Sequence, residues 1–314
     1  MGKMATREGY GKALQEFGKD ERIVVFDADL SGSTNTAKFK ALYPERFFDM
    51  GIAEGNMVAT AAGMATCGKI AFVSTFAMFA SERACEQVRN SVCYPNLNVK
   101  VCATHAGLTV GEDGASHQCL EDLAIMRSIP NMHVLCPADA ASTRYAIKAA
   151  IETDGPFYVR LGRLAIEDIY GEYGCELPFE LGKANMLKDG SDLTIIACGY
   201  MVKEALEAYE ALKAEGINAR VLDMHTIKPI DREAVIRASK ETGVIVTCEE
   251  HTINGGLGSA VAEVVAEEAP CFVKRFGVND RFGTSGTPDA ILKAYNLTSE
   301  DLVKTCKEAL DLRK

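Results

Sequence analysis

Short runs of β-branched and apolar residues alternate, along the first half of the chain, with longer stretches in which small or apolar residues recur every three to four positions. The short runs predict buried strands; they are IVVFDAD (23–29), IAFVST (70–75), VKVCAT (99–104) and HVLCPA (133–138). The longer stretches predict helices; they are NMVATAAGMATCG (56–68) and ASERACEQVRNSVC (80–93). This alternation is typical of a parallel sheet with helices on both faces.

A polar segment with glycines, residues 171–191, interrupts the pattern before it starts again. The second series has strands LTIIACG (193–199), INARVLDM (217–224) and VIVTCEEH (244–251), with helices over VKEALEAYEALKAEG (202–216), from Asp231 and from Gly256. We therefore predict two consecutive α/β domains, each a mostly parallel sheet flanked by helices. They would span 1–170 and 192–314, with 171–191 as a linker.

Charge and composition narrow the function classes. The chain has 314 residues, 34 Lys and Arg against 44 Asp and Glu, and a net charge of −10. This balance argues against a nucleic-acid or membrane partner, since both need basic surfaces. No apolar run is long enough to span a bilayer and the N-terminus does not resemble a signal peptide, so we expect a cytoplasmic protein. The 11 cysteines are scattered without a C-x-x-C pair, and we expect reduced thiols that are mostly buried.

The most specific stretch is THAGLTVGEDGASHQ, residues 104–118, which contains two of the five histidines. It directly follows a predicted strand, where parallel sheets bind their ligands. Its three glycines allow the backbone to approach a ligand closely, and His105 and His117 can converge on one small volume. Histidines are suited to proton transfer and to binding hydroxyls near neutral pH. A zinc site and a purely structural loop are the alternatives.

Other candidate residues also follow predicted strands or begin helices. Glu54 begins an apolar helix and is either a carboxylate favoured by the helix dipole or a desolvated acid able to share a proton with a ligand. Phe76 and Phe79 are either core residues or a platform for a flat ring. Arg163 ends a strand-like run and is either a phosphate fork or a surface ion-pair partner.

One glycine-rich segment resembles a phosphate loop without matching it. GGLGSA, residues 255–260, lacks the spacing of dinucleotide-binding glycines, so tight packing at a helix start is the favoured interpretation.

An ordered set of motifs resembles the carboxyl-terminal half of transketolase over nearly the whole chain. The motifs are DADLSGS, MGIAEGNM, STFAMF, THAGLTVGEDGASHQ, RLGR, HTIKPID and EEHTINGGLGS. The resemblance implies a pyrimidine-binding domain followed by the transketolase C-terminal domain. It also implies thiamine diphosphate as the cofactor, for which the protein supplies orientation and electrostatics.

The resemblance also implies roles for individual residues. In the family, the glutamate at the position of Glu54 hydrogen-bonds a ring nitrogen of the aminopyrimidine. By the same resemblance, Phe79 would stack on that ring with Phe76 beside it, and Asp29 would lie near the cofactor at the dimer interface. His105 and Asp113 would bind substrate hydroxyls and His117 would assist proton transfer. The residues at family positions for the sugar phosphate are Arg7, Ser33 and Arg163.

The histidine loop also separates the chain from related families. Deoxyxylulose-phosphate synthases typically lack the histidine that matches His105, and dehydrogenase beta subunits lack GEDGASH. The chain departs from transketolases at Glu82, where an aromatic residue is common, at Ala115, where proline is common, and at FGTSG (282–286), where FGESG is common.

A complete transketolase is about twice as long, and this sequence has no GDG…N motif for magnesium and diphosphate. We therefore expect a natural subunit of a split transketolase, with Mg²⁺ held mainly by an N-terminal partner and no metal ligands here. Two copies of each chain would form a heterotetramer that transfers ketol units between sugar phosphates. The alternatives are another thiamine-diphosphate enzyme, acting on a specialised sugar phosphate or sulfonate, and a non-catalytic homologue.

Overall fold

The computed structural model describes residues 2–170 and 179–313. The strands, in chain order, are β1 (Lys3–Met4), β2 (Ile23–Asp27), β3 (Phe47–Asp49), β4 (Ile70–Phe76), β5 (Val99–Thr104), β6 (His133–Leu135), β7 (Phe157–Arg160), β8 (Ile166–Glu167), β9 (Asn185–Lys188), β10 (Leu193–Ala197), β11 (Ala219–Asp223), β12 (Thr226–Lys228), β13 (Val244–Thr252) and β14 (Phe272–Val278). The helices are α1 (Thr6–Phe17), α2 (Ser31–Thr34), α3 (Ala37–Leu42), α4 (Glu54–Thr66), α5 (Cys85–Gln87), α6 (Asp122–Ser128), α7 (Ala140–Glu152), α8 (Met201–Ala214), α9 (Arg232–Thr242), α10 (Leu257–Glu268), α11 (Pro288–Ala294) and α12 (Ser299–Leu312).

The first sheet has the order β12-β6-β7-β5-β4-β2-β3, and every neighbouring pair is parallel except β12 with β6. All residues of β2, β4 and β5 are buried, because helices cover both faces of the sheet. This burial explains why these strands appear in the sequence as continuous apolar runs rather than as alternating ones. The predicted parallel sheet with flanking helices is confirmed.

The second sheet has the order β14-β13-β10-β11-β9, with only β9 antiparallel to its neighbour. Helices α9 and α10 begin after Asp231 and Gly256, as predicted, and α8 lies within two residues of its predicted bounds. Asp231 accepts a hydrogen bond from the Ala234 backbone N–H at the start of α9, and Gly243 ends that helix with φ of 68°. The second predicted α/β domain is confirmed.

Several strands were not predicted from the sequence, and two short ones, β9 and β12, change how the chain is organised. The predicted linker 171–191 contains β9, which forms the edge of the second sheet, so this part of the range is not a free connection; its residues 171–178 lie outside the described residues. Strand β12 follows β11 in the chain yet pairs with β6 of the first sheet. Runs of three or four residues give too weak a periodic pattern to be predicted. The domain bounds 1–170 and 192–314 themselves stay a prediction.

The helical region after β4 is irregular. Residues Phe79–Arg83 and Val88–Cys93 are π-helical and flank the single turn of α5. Single π-helical turns are rare in proteins, and those that do occur are often found at functional sites. Among all the residues that the structure describes, no helix is both long and apolar enough to cross a bilayer.

Candidate active site

The predicted site residues cluster at one edge of the first sheet, where its parallel strands reach their carboxyl ends. Strand β4 ends in Phe76, β5 is followed by His105, β2 is followed by Asp29, and Arg163 lies three residues beyond β7. Adjacent parallel strands end side by side, so residues far apart in sequence become neighbours here. The order of the parallel strands in the sheet therefore brings these residues together.

His105 is the buried centre of this edge. It is 3 % exposed and its ring stacks on Phe76 with centroids 3.9 Å apart. Its backbone φ of 58° lies in the left-handed region, which few residues other than glycine adopt, and it turns the chain sharply out of β5. Thr104 Oγ1 lies 2.9 Å from Nδ1. Among the described residues, Nε2 has no hydrogen-bond partner and is the nitrogen left to meet a ligand.

The charge state of His105 follows from this setting. Burial, reinforced by the positive charges of Arg7 and Arg163, lowers the pKa of His105 to about 3. The imidazole is therefore neutral at physiological pH. It can donate from one ring nitrogen and accept at the other.

His117 reaches the same aromatic residues from the other end of the loop. Its ring lies edge-on to Phe79 at 5.5 Å and to Phe76 at 6.1 Å. The Ser116 hydroxyl lies 3.0 Å from Nδ1. The structure thus brings both loop histidines together over a pair of phenylalanines.

That pair forms an aromatic platform. The rings of Phe76 and Phe79 are nearly parallel, with centroids 6.0 Å apart and an interplanar angle of 12°. Phe76 is buried, whereas Phe79 is only half-buried at the start of the π-helical turn. A half-buried aromatic face at a strand end is a suitable surface for a flat ligand ring.

Glu54 is the first residue of α4 and only 2 % exposed. Its carboxylate accepts two hydrogen bonds from Arg83 Nη1, at 3.0 and 3.1 Å. The guanidinium of Arg83 also lies 4.3 Å from the centre of the Phe79 ring. Arg83 therefore links the carboxylate to the aromatic platform, a role that was not predicted from the sequence.

Two arginines form a positive region beside His105. Arg7 Nη1 donates to the Ser33 backbone oxygen at 2.7 Å, and Arg7 Nε is buried without a partner among the described residues. Burial, together with the charge of Arg163, lowers the pKa of Arg7. Arg163 donates to the Glu112 carboxylate at 3.1 Å and to the Val110 carbonyl. Of the two arginines, only Arg163 pairs with a carboxylate among the described residues, so the region keeps positive charge that favours an anionic ligand.

The two predicted aspartates lie at the exposed border. Asp113 is exposed on the histidine loop, and Asp29 is exposed with φ of 61°. The turn that carries Asp29 and Ser33 is organised by Asp27, which accepts hydrogen bonds from Leu30 N and from the hydroxyls of Thr34 and Thr36. Burial raises the pKa of Asp27 to about 6.

Sequence reasoning missed the supports of the histidine loop, which come from the second domain. Glu250 Oε1 accepts the Thr109 backbone N–H at 2.6 Å, and Gln118 Nε2 donates to the Thr284 backbone oxygen at 2.9 Å. A Cβ at Gly107, whose φ is 84°, would lie 2.4 Å from the Glu250 carboxyl carbon. The EEH run of β13 and the FGTSG segment both stand out in the sequence, but neither indicates the loop that it contacts.

One cluster of potential metal ligands occurs within the described residues, formed by Glu82, Cys119 and Glu121. Burial raises the pKa of the Cys119 thiol, and a neutral thiol is a poor ligand. Mg²⁺ prefers oxygen ligands, so this cluster does not fit it.

Comparison with known proteins identifies the family. Residues 2–167 match the transketolase pyrimidine-binding domain and residues 182–302 match the transketolase C-terminal domain. The chain belongs to the transketolase family. A Methanocaldococcus jannaschii protein with the provisional name transketolase C-terminal section is 55 % identical, over 97 % of this chain and 96 % of that protein.

Other members of the transketolase family differ in length and in the sugars they are named for. A 6-deoxy-6-sulfo-D-fructose transketolase subunit of a Clostridium species is 44 % identical, over 97 % of this chain and 94 % of that subunit. Human transketolase is 38 % identical, and the match covers 97 % of this chain but 49 % of the human protein. A solved structure described as split gene transketolase, inactive beta4 tetramer, has 53 % identity, complete coverage of both chains and a TM-score of 0.90. The chain thus corresponds to the C-terminal section of a split transketolase.

Proposed function

We propose that this chain is the catalytic C-terminal subunit of a two-chain transketolase that transfers a two-carbon ketol unit from a ketose phosphate to an aldose phosphate. The observation that carries the proposal is the convergence of His105 and His117 on the Phe76–Phe79 platform, beside the buried carboxylate of Glu54. This combination offers a flat apolar surface, a carboxylate and two imidazoles in one place.

The residues fit the aminopyrimidine part of thiamine diphosphate, the cofactor that the transketolase family uses. Phe79 supplies a half-buried ring face, and Glu54 supplies a carboxylate at the start of α4. When bound, the cofactor supplies a carbanion-stabilising thiazolium. Glu54 would hold a proton shared with the pyrimidine ring, and Asp29 would lie at the cofactor side of the site, near the dimer interface.

The histidines and arginines would bind the sugar. Neutral His105 would hydrogen-bond a substrate hydroxyl together with Asp113, and His117 would move a proton at the donor oxygen. Arg7 and Arg163 would bind the phosphate, with Ser33 beside them, since two guanidinium groups without full compensation attract a dianion.

The proposed assembly includes a separate N-terminal subunit. The match covers 49 % of human transketolase, and we propose that a second chain supplies the diphosphate-binding part of the enzyme. We propose that this partner holds Mg²⁺ and the diphosphate, and that two copies of each chain form a heterotetramer.

A second candidate function is ketol transfer from a specialised sugar. It is favoured by the 44 % identity to a subunit named for sulfofructose, because a sulfonate and a phosphate both present anionic oxygens to arginine. The same catalytic residues would serve either donor.

The test is reconstitution of this chain with an N-terminal partner from the same genome that carries a GDG…N motif. We expect ketol transfer only from the complex and only with thiamine diphosphate and Mg²⁺. Glu54→Gln should lower the rate at least about 100-fold. A panel of ketose phosphates and a sulfoketose separates the two candidate functions. A complex that binds cofactor yet transfers no ketol unit from any donor would overturn the proposal.

A further inference from the structure

Arg83 makes the same two contacts, with Phe79 and with Glu54, that the proposed function assigns to the aminopyrimidine ring of the cofactor. Its guanidinium lies 4.3 Å from the centre of the Phe79 ring, and its Nη1 donates to both oxygens of Glu54. A guanidinium is flat, delocalised and edged with N–H donors. It therefore stacks on an aromatic ring and hydrogen-bonds a carboxylate, as an aminopyrimidine would in the proposed function.

The Arg83 guanidinium and an aminopyrimidine ring cannot both lie on Phe79 and contact Glu54 at the same time. A flat ring stacked on Phe79 would lie about as far from the Phe79 ring centre as the Arg83 guanidinium does, so the two would fill the same space. The Glu54 carboxylate is 2 % exposed, whereas the Arg83 side chain that contacts both of its oxygens is 51 % exposed. A ligand can use Glu54 and this face of Phe79 only after Arg83 has left.

We infer that Arg83 occupies the aminopyrimidine position in the cofactor-free chain and is displaced when thiamine diphosphate binds. The inference rests on the proposed function. Arg83 acts as an internal competitor that covers Glu54 and Phe79 until the cofactor arrives.

The structure gives Arg83 the freedom to move. Its side chain is 51 % exposed, so the guanidinium can rotate into solvent without unfolding its surroundings. Arg83 ends the π-helical turn that begins at Phe79. The outward rotation needs only side-chain torsions, which change rapidly at exposed positions.

The size of the competition follows from the contacts broken. A cation over an aromatic ring and a half-exposed ion pair are each modest interactions, because solvent screens them. Since apparent affinity falls with the fraction of molecules in the open state, their loss should tighten cofactor binding about 10-fold. Such a change corresponds to about 1.4 kcal/mol.

The experiment measures the dissociation constant of thiamine diphosphate, at saturating Mg²⁺, by calorimetric titration of the heteromeric complex. We expect Arg83→Ala to bind about 10-fold more tightly than wild type, and Arg83→Lys to fall between the two. The matched control is Arg22→Ala, which removes an exposed arginine paired with Asp20 at 2.6 Å beside the amino end of β2, away from the site. It should leave the affinity unchanged.

Unchanged or weaker binding in Arg83→Ala would overturn the inference, as would a lysine variant that binds more tightly than the alanine variant. The measurement separates this failure from failure of the proposed function. If wild type binds the cofactor and transfers ketol units while Arg83→Ala gains no affinity, only the role of Arg83 is wrong. If no variant binds thiamine diphosphate, the proposed function itself is wrong.

Discussion

Glu250 offers a quantitative test of how the second domain holds the histidine loop. Its carboxylate is buried under Gly107 and accepts the Thr109 backbone N–H at 2.6 Å. Glu250→Ala leaves this N–H, in a residue only 2 % exposed, without an acceptor. An unsatisfied buried donor costs roughly 1–3 kcal/mol, and the space left by the carboxyl group adds roughly 1 kcal/mol.

We therefore expect Glu250→Ala to lower the free energy of unfolding by about 2–4 kcal/mol. In the reconstituted enzyme, kcat should fall at least about 10-fold, since a shift of 1 Å in catalytic groups is costly. Chemical denaturation followed by circular dichroism measures the first quantity, and steady-state kinetics measures the second. Glu250→Gln is the matched control, because it keeps an oxygen that can accept from Thr109. If the alanine variant is as stable and active as the glutamine variant, Glu250 does not position the loop.

Three further predictions concern single residues. Because the pKa of His105 is lowered to about 3 by burial, the unfolded chain binds its proton first and stability falls as pH drops below about 6.5. Between pH 7 and pH 5, protonation of this histidine in the unfolded chain should lower the free energy of unfolding of the wild type by about 2 kcal/mol, and His105→Gln should not show this part of the decrease. Denaturation at both pH values measures it, and an unchanged pH dependence in the variant would contradict the prediction. Arg163→Ala should raise KM at least about 10-fold for phosphorylated donors but not for unphosphorylated ketoses, and equal effects on both would argue against a phosphate contact. Gly107→Ala, at φ of 84° and against Glu250, should cost about 2–4 kcal/mol in thermal unfolding; a near-native melting temperature would refute it.

The sequence predicted the fold well because buried parallel strands carry continuous apolar runs. β5 was predicted with both its bounds, and β4 to within one residue. The short strands β9 and β12 were not predicted, since their pairing depends on chain segments distant in sequence. The longer strand β14 was not predicted either, because only its last three residues are buried and it carries no continuous apolar run. The same limit applies to the site. Residues next to strand ends were found, whereas Glu250 was not, because nothing in its local pattern indicates the loop it supports.

Arg83 shows a different limit. The interval from Phe79 to Arg83 fits one turn of an α-helix equally well, so the sequence gives no sign of the π-helical turn. Nor does it indicate that Arg83 meets Glu54, which lies 29 positions earlier on another helix. The contact matters because it joins two requirements of the site. A buried carboxylate without a partner is costly, and an exposed aromatic face invites unwanted association. One half-exposed arginine relieves both, and its exposure keeps the contact weak enough for a ligand with the same two features to replace it.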